Sequence, residues 1–330
     1  MSIVILDQPQ AISSSDSQCK FKLPKGTKRV LWQITNLCNY QCSYCIFASG
    51  PNKPKNELST GRALELIQEF AELGFLDLKL TGGEPLTRRD FSQIITALKA
   101  SSINFDLSTN ASLLTQEKVE LLASANPRYV HISLDGPNQF VQEMIRGANT
   151  FNPTITGIKK LVAAGVRVRL GTVLYSGNQE LIAEMVEYAI SLGVAEIVFS
   201  IMIPAGRLKN DSSFNCTISA AKASAMIDAT RQRYQGGVVK ISSNFESSTD
   251  YNCETCPGGE SFIYIDNQGH VLPCTWAYEA NLCKKSQKTL ENHSLKDLLQ
   301  QNELLSFRSQ IKQSAKSGCP VDHLYSLEAR

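Results

Sequence analysis

The sequence predicts an α/β protein: a partial (β/α)6, TIM-like barrel followed by a small C-terminal α+β domain. Two observations carry this prediction. Short β-branched or apolar runs alternate with segments whose apolar residues recur every three or four positions, as on one face of a helix. Several of these helical segments end in a glycine that leads straight into the next apolar run. Strands that alternate with helices in this way form right-handed parallel βαβ units.

The elements of the barrel can be placed individually. Ser59–Leu73 and Asp90–Ala100 predict helices because their apolar residues fall on one face. Asn152 followed by Pro153 predicts the N-cap and first residue of another helix, and Asn178 predicts a further N-cap. Strands are predicted near residues 30–35, 77–81, 105–109, 129–134, 166–173 and 196–201.

The alternation of strands and helices stops after the sixth strand, which predicts a division of the chain. The polar, serine-rich start predicts an arm, and the last quarter predicts short strands at 262–266 and 270–272 followed by helices at about 294–301 and 303–313. We therefore predict an arm over residues 1–28, the barrel over 29–210, a connecting helix and strand over 211–251, and the C-terminal domain over 252–330.

Composition excludes several classes of protein. The 330 residues are 42% hydrophobic and 19% charged, which supports a real core. A net charge of +2 gives no large basic field for nucleic acid or an anionic membrane. The N-terminus lacks the features of a secretory signal, and the apolar run from Ile197 to Pro204 is shorter than the roughly 20 residues that span a bilayer. We expect a soluble, cytoplasmic protein without nucleic-acid or membrane partners.

Ten cysteines in a chain without a signal indicate metal ligands or catalytic groups rather than disulfides. Cys38, Cys42 and Cys45 lie within eight residues, directly after the first predicted strand. Thiolates select iron–sulfur clusters, zinc or copper(I). Three ligands leave one metal position unfilled, either the water position of a zinc site or one iron of a cubane cluster. The spacing alone does not choose between them.

Two further motifs follow the second and fourth predicted strands, and ligands gather at the carboxyl ends of such strands. The motifs are Gly82, Gly83, Glu84 and Pro85, and then Ser133, Leu134, Asp135 and Gly136. Together with the CxxxCxΦC pattern, this order of GGEP and SLDG resembles the radical S-adenosylmethionine (radical SAM) superfamily, from about Arg29 to the C-terminus. A zinc site predicts neither later motif, so the resemblance favours the cluster.

The resemblance implies that Cys38, Cys42 and Cys45 hold three irons of a 4Fe–4S cluster, whose fourth iron binds the amino and carboxylate groups of SAM. A reductant such as flavodoxin or ferredoxin would supply an electron that breaks the sulfonium C–S bond. The resulting 5′-deoxyadenosyl radical would remove a hydrogen atom from the substrate, with the protein orienting chemistry that belongs to the cofactor.

The resemblance also implies a SAM pocket. Tyr44 would contact the adenine. The GGEP residues Gly82, Gly83, Glu84 and Pro85 would let the backbone approach the ligand and accept from its α-ammonium group. Ser133 would contact the ribose or methionine portion, whereas Asp135 would either do the same or serve as a turn residue.

Three further positions are assigned by the same resemblance. Thr109 and Asn110 match a Thr-Asn pair that would face the same cavity. Arg146 would bind the SAM carboxylate through its forked donors, with a surface salt bridge as the alternative. Leu174 would pack on the adenine, with a core leucine as the alternative.

The pattern of cysteines in the last quarter of the sequence resembles the auxiliary-cluster region called SPASM, or its shortened twitch form. Five cysteines are present there, too few for the two extra clusters of the full form, so we expect one auxiliary 4Fe–4S cluster. A structural zinc ribbon is the alternative, and an exchangeable site for substrate stays open. The expected ligands are Cys256, Cys274 and Cys319, with Cys253 or Asp322 as the fourth.

These patterns favour a radical SAM enzyme that modifies a ribosomally made peptide by epimerisation, crosslinking or oxidation. Cys253 or Cys216 would return the hydrogen atom in an epimerase. The predicted arm is too short to be a peptide-binding domain, so a separate protein would have to bind a leader peptide. The alternatives are a dehydrogenase of an amino sugar or aminocyclitol and, in another class, a non-catalytic zinc-binding scaffold.

Overall fold

The computed structural model describes residues 27–52, 54–209, 218–244 and 256–313. Within these ranges one sheet of nine strands runs in the order β7-β6-β5-β4-β3-β2-β1-β8-β9. Every neighbouring pair is parallel except β8 and β9. The strands are β1 Arg29–Gln33, β2 Asp77–Thr81, β3 Asn104–Thr109, β4 Tyr129–Ser133, β5 Val168–Leu174, β6 Glu196–Ile201, β7 Lys240–Ser243, β8 Phe262–Ile265 and β9 Val271–Leu272.

Helices connect the parallel strands, as the alternating pattern requires. Within the described ranges they are α1 Thr60–Glu72, α2 Phe91–Ala100, α3 Gln116–Ala125, α4 Gln139–Arg146, α5 Phe151–Ala163, α6 Ile182–Ser191, α7 Ala220–Arg233, α8 Thr275–Glu279, α9 Leu295–Leu298 and α10 Asn302–Gln313. Short 3-10 turns cover Pro85–Thr87, Gln179–Leu181 and Gly206–Leu208. The predicted α/β partial barrel is therefore confirmed. No helix in these ranges combines the length and apolar character needed to cross a membrane.

One face of the sheet packs on the helices, and the other is left for the site. On β4, Val130 and Ile132 are fully buried, whereas the residues that alternate with them, Tyr129, His131 and Ser133, are half-buried. This alternation follows from the two-residue period of a strand. On the helical side, Trp32 and Phe70 meet edge to face at 5.7 Å. The main core therefore lies under the helices and leaves the inner face free for polar side chains.

Three strands from the later part of the chain extend the six-stranded unit to nine. β7 pairs with β6, and β8 pairs with β1. β8 and β9 agree with the short strands predicted around the turn at 267–269. Because β8 lies beside β1, the C-terminal region is joined to the edge where the cysteine motif begins.

Two local predictions about caps were wrong. α5 begins at Phe151, and Pro153 lies inside its first turn. Proline is tolerated there because the N–H groups of the first turn have no acceptor within the helix, so the absence of one costs no hydrogen bond. Glu143 caps this end by accepting hydrogen bonds from the backbone N–H groups of Thr150 and Phe151. Asn178 precedes a 3-10 turn and makes no side-chain cap hydrogen bond.

A buried ion network ties the starts of the first strands together. The Asp77 carboxylate accepts from Arg29 and Arg128, and Arg128 also binds Asp106 at 2.7 Å. Burial alone raises the pKa of Asp77, but hydrogen bonds and charge from the two arginines outweigh it and leave the pKa below 3.8, its ordinary value. Ionised Asp77 therefore stabilises the fold above that ordinary pKa, and this contribution is lost as the pH falls through the folded-state pKa.

Asp77→Asn should lower the free energy of unfolding at pH 7 by about 1–3 kcal/mol, because two arginines lose the carboxylate that they share. The partial exposure of Arg128 to solvent limits the size of the loss. The difference should shrink as the pH falls from 3.8 through the lower pKa of folded Asp77, because wild-type Asp77 also becomes protonated over that range. Urea denaturation across pH measures both effects. Asp228→Asn, at an exposed pair with Arg231, is the control and should change stability by less than about 0.5 kcal/mol. A loss in Asp77→Asn that is equal at pH 7 and pH 3 would contradict this account.

Candidate active site

The predicted motifs meet around one cavity of about 340 Å³ at the carboxyl ends of the strands. The loop after β1, residues 34–50, is called here the cysteine loop, and it forms one wall. The loop after β2 and the ends of β3 to β6 form the rest. Of the predicted site residues, the cavity is lined by Cys38, Cys42, Tyr44, Cys45, Gly82, Gly83, Thr109, Asn110, Ser133 and Arg146.

The cysteine loop is folded so that its thiols accept backbone N–H groups. Cys38 N donates to Gly50 O at 2.8 Å and closes the loop. The Sγ atoms of Cys38 and Cys45 accept from Tyr40 N and Ser49 N, each at 3.4 Å. Hydrogen bonds to sulfur stabilise thiolates and are one means by which proteins tune iron–sulfur clusters.

Burial makes the Cys38 and Cys42 thiols unfavourable as free anions. It raises the pKa of Cys38 to about 12, and it raises the pKa of Cys42 against the opposing charge of Arg146. Because the thiolate is the metal ligand, a positively charged metal centre would offset this cost of burial. No three His, Cys, Asp or Glu side chains in the described ranges converge closely enough to hold a single metal ion. A cluster that takes one thiolate per iron does not require such convergence.

The glycines of the GGEP motif have a role that was not predicted. A Cβ on Gly82 would lie 2.7 Å from Thr35 O, and one on Gly83 would overlap the backbone of Leu37. Gly83 N donates to Thr35 O at 2.7 Å, and Glu84 N donates to Leu37 O at 2.8 Å. These glycines therefore let the loop after β2 press against the cysteine loop, in addition to lining the cavity.

Glu84 does not present its carboxylate to the cavity. It is fully buried and accepts from Leu86 N, Thr109 Oγ1 and Asn110 N at 3.1, 2.7 and 2.6 Å. Burial raises its pKa, although the hydrogen bonds from Asn110 and Thr109 oppose this. The Glu84 carboxylate is therefore not available to the α-ammonium group of SAM, whereas Gly82 and Gly83 of the same motif line the cavity. Pro85 is also buried and begins a 3-10 turn.

Asp135 lies behind the cavity and holds its lining in place. Its Oδ2 accepts from Tyr44 OH at 2.6 Å and Arg146 Nε at 2.5 Å, and its Oδ1 accepts from Val173 N at 2.8 Å. The side chain of Asn178 donates to the Asp135 carbonyl. The geometry favours the structural alternative for Asp135, whereas Ser133, two residues earlier, lines the cavity.

Arg146 is not a surface residue: it is 6% exposed and directed towards the cysteine loop. Its Nη1 lies 3.8 Å from Cys42 Sγ, and its Nη2 contacts Tyr44 OH. Burial alone would lower its pKa, but the charge of Asp135 raises it further above its ordinary value, so the guanidinium stays charged. The surface salt bridge considered from sequence was therefore wrong, because the partner carboxylate is buried.

Leu174 does not reach the cavity. It is fully buried in the main core, and its neighbour Val173 lines the cavity instead. Successive residues of β5 point to opposite faces, so an assignment displaced by one residue selects the wrong side chain.

Sequence reasoning missed the residues that close the cysteine loop after β6. Arg207 donates from Nη1 to Cys42 O and from Nη2 to Ser49 O, and its backbone N donates to Cys45 O at 3.0 Å. Gly206 has φ +57°, and a Cβ there would overlap Ile46 O. The Gly-Arg pair in the loop that follows the sixth strand was the available signal.

Part of the predicted auxiliary site lies in the described region. Cys256 Sγ accepts from Gly258 N at 3.4 Å, and Cys274 Sγ accepts from Ala277 N at 3.1 Å. Burial raises the pKa of Cys274 to about 11 and that of Cys283 to about 12, and Cys274 interacts electrostatically with both Cys256 and Cys283. Cys283 was not among the predicted ligands. Four predicted residues lie outside the described ranges, namely Cys216, Cys253, Cys319 and Asp322.

Arg207→Ala should make the cysteine loop release iron faster, because the charged fork that holds two of its carbonyls is lost. After anaerobic reconstitution, transfer of iron to a chelator should be about tenfold faster than in wild type. Arg233→Ala, at an exposed position on α7, is the matched control and should release iron at the wild-type rate. Equal rates in Arg207→Ala and wild type would show that this fork does not hold the loop.

Comparison with known proteins places this cavity in a family. The sequence model of the radical SAM superfamily matches residues 32–189 of this chain. An AdoMet-dependent heme synthase of Methanosarcina barkeri is 28% identical over 275 residues, covering 76% of this chain and 78% of that protein. A PqqA peptide cyclase of Bradyrhizobium diazoefficiens is 25% identical over 281 residues, covering 83% and 73%.

Solved structures share the fold. Streptococcus suis SuiB bound to S-adenosylmethionine superposes with a TM-score of 0.73 at 17% identity, over 84% of this chain and 66% of SuiB. Native anSMEcpe with bound AdoMet and Cp18Cys peptide gives 0.70 at 16% identity, over 91% of each chain. At the level of the family, the prediction of an enzyme with a 4Fe–4S cluster and SAM as its cofactors is confirmed. Residues 32–189, which carry all three motifs, are therefore a radical SAM domain.

Proposed function

We propose that this radical SAM enzyme abstracts a hydrogen atom from a peptide and so begins an epimerisation, crosslinking or oxidation of it. The observation that carries the proposal is the cavity itself, where the three thiols, the GGEP backbone, Ser133 and Arg146 face one space. The peptide as substrate class is supported by the PqqA peptide cyclase among the relatives and by the peptide bound to anSMEcpe.

The residues present fit the cofactors of the family. Cys38, Cys42 and Cys45 would hold the cluster through three thiols on the wall of the cavity, with the Arg146 guanidinium beside Cys42. When bound, the cluster and SAM supply the electron and the 5′-deoxyadenosyl radical that takes a hydrogen atom from substrate.

The chain itself supplies orientation. Asp135 fixes the Arg146 guanidinium and the Tyr44 hydroxyl, so both lie on the cavity wall in one position rather than several. Glu84 fixes Thr109 and Asn110 in the same way. Because these groups are already held in place before the substrate binds, little further ordering is needed to reach the transition state, and the reaction is faster. We expect Ser133 and the carbonyls of the GGEP loop to bind the polar end of SAM beside them.

The C-terminal region would hold one auxiliary 4Fe–4S cluster. Cys256 and Cys274 are neighbours in the described region, and Cys319 with Cys253 or Asp322 would complete the set. Trp276, two residues after Cys274, lines the main cavity. The position of Trp276 supports an auxiliary cluster near the substrate, as electron transfer from an oxidised substrate would require. Cys216 or Cys253 remains the proposed hydrogen donor for an epimerase, and a flavodoxin or ferredoxin the proposed reductant.

A second candidate function is the oxidation of a small molecule that is not a peptide. It is supported by the similarity to AdoMet-dependent heme synthase, which extends over three quarters of this chain. An amino sugar or aminocyclitol substrate also remains a prediction.

Cys42→Ala should abolish formation of 5′-deoxyadenosine in the dithionite-reduced enzyme, because the cluster would lose one of its three thiolates. Gln41→Ala, an exposed neighbour in the same loop, is the control and should retain activity. Product formation is measured by chromatography after anaerobic reconstitution. If Cys42→Ala still forms 5′-deoxyadenosine at the wild-type rate, the ligand set is wrong.

The substrate class is tested with deuterium. A fully deuterated cell extract, separated into peptide and small-molecule fractions, is incubated with the enzyme and unlabelled SAM. We expect the peptide fraction to transfer deuterium into 5′-deoxyadenosine. Transfer from the small-molecule fraction alone would favour the second candidate and contradict the peptide proposal.

A further inference from the structure

Cys283 is a buried thiol in the C-terminal region, and it lies outside the set of expected cluster ligands. It is 8% exposed and forms no disulfide. It belongs to a small group of buried residues, called here the C-terminal core, that is separate from the main core. A buried cysteine in apolar surroundings is inert by default, so its neighbours decide whether it has a function. The C-terminal core consists of Tyr264, Leu272, Ala277, Cys283 and Phe307.

Cys274, an expected auxiliary ligand, is the first of these neighbours. It packs against the C-terminal core, and its thiol interacts electrostatically with that of Cys283. Cys274 is the N-cap residue of α8, and Asn281, with φ +58°, lies in the turn that ends this helix. Leu282 N donates to Ala277 O at 2.9 Å and closes the turn. The turn therefore brings Cys283 back beside Cys274.

Cys256, another expected auxiliary ligand, adjoins the C-terminal core as well. A Cβ on Gly258 would lie 3.3 Å from Cys256 Sγ and 3.3 Å from the ring of Phe307, which is a member of that core. The thiol of Cys256 also interacts electrostatically with that of Cys274. Three thiols from the segments before β8, before α8 and after α8 therefore lie around one small core. A 4Fe–4S cluster needs such a grouping, because it takes one thiolate for each iron.

Hydrogen bonding distinguishes Cys283 from the other two cysteines. Cys256 Sγ and Cys274 Sγ each accept from a backbone N–H group, of Gly258 and Ala277 respectively. Within the part of the chain that the structure describes, Cys283 Sγ has no such donor. Iron would therefore be the one polar partner of this sulfur.

Cys283 also removes a conflict over Cys253. Cys253 is expected either as the fourth auxiliary ligand or as the hydrogen donor for an epimerase, and a thiolate bound to iron has no hydrogen atom to give. Asp322, the other candidate for the fourth ligand, offers oxygen, whereas iron–sulfur clusters select soft thiolates. With Cys283 in the fourth place, Cys253 stays available as a thiol.

We propose that Cys283 is the fourth ligand of the auxiliary 4Fe–4S cluster, together with Cys256, Cys274 and Cys319. This inference rests on the proposed function, since that function includes the auxiliary cluster. Each iron of this cluster then has a protein ligand. The auxiliary cluster accepts and passes on electrons, and it has no exchangeable site for substrate.

The test removes the SAM cluster so that the auxiliary cluster is observed alone. The full chain carrying Cys38→Ala, Cys42→Ala and Cys45→Ala is reconstituted without oxygen, and its iron content and its EPR spectrum after dithionite reduction are measured. We expect one 4Fe–4S cluster in this background. Addition of Cys283→Ala should shift the g values, and mild oxidation should then leave a cluster that is one iron short. Cys283→Ser, which offers an oxygen ligand of similar size, should keep the complete cluster with shifted g values.

Cys253→Ala and Asp322→Ala in the same background are the controls, and neither should change the g values or the iron content. An unchanged spectrum in Cys283→Ala, or a shift in either control, would overturn Cys283 as the fourth ligand and leave the peptide proposal in place. Zinc or no metal in the background protein would overturn the auxiliary cluster and this inference together. The deuterium experiment would still decide the substrate class in that case.

Discussion

The site depends on a contact between two stretches of backbone. Gly82 and Gly83 press against the carbonyls of Thr35 and Leu37 so closely that a Cβ at either position would collide with them. Hydrogen bonds from Gly83 N and Glu84 N join the two loops into one surface. On the opposite side, Gly206 and Arg207 close on the same cysteine loop. Three strand ends therefore fix the positions of the thiols.

Ionisable groups around the cavity serve mainly to position other residues. Glu84 and Asp135 are both fully buried, and their carboxylate oxygens accept hydrogen bonds from protein donors. A half-satisfied buried carboxylate would be costly, but these two accept from several donors each and become rigid supports. What they support, Arg146 and Asn110, faces the cavity. These two polar residues are thus held by carboxylates that do not line the cavity.

Sequence reasoning recovered the parallel strands and the family because both leave local patterns. The period of apolar residues gave β2 at Asp77–Thr81 without error, and the order of three motifs gave the family. It failed where the answer depends on contacts distant in sequence. Leu174 was assigned to the adenine, with a core leucine as the alternative, because a pattern does not fix which face of β5 is inside; the structure has the core leucine. The sequence does not show that the Glu84 carboxylate points away from the cavity towards Thr109 and Asn110. Arg207 lies 165 residues from Cys42, whose carbonyl oxygen it binds.

The central claim is that the cysteine loop leaves one iron of its cluster without a protein ligand, so that SAM can bind there. The direct measurement is the EPR spectrum of the dithionite-reduced Cys256→Ala/Cys274→Ala protein, which should lack the proposed auxiliary cluster, recorded without and with SAM. A change in the g values on addition of SAM is the predicted result. An unchanged spectrum, in protein shown by equilibrium dialysis to bind SAM, would contradict the account.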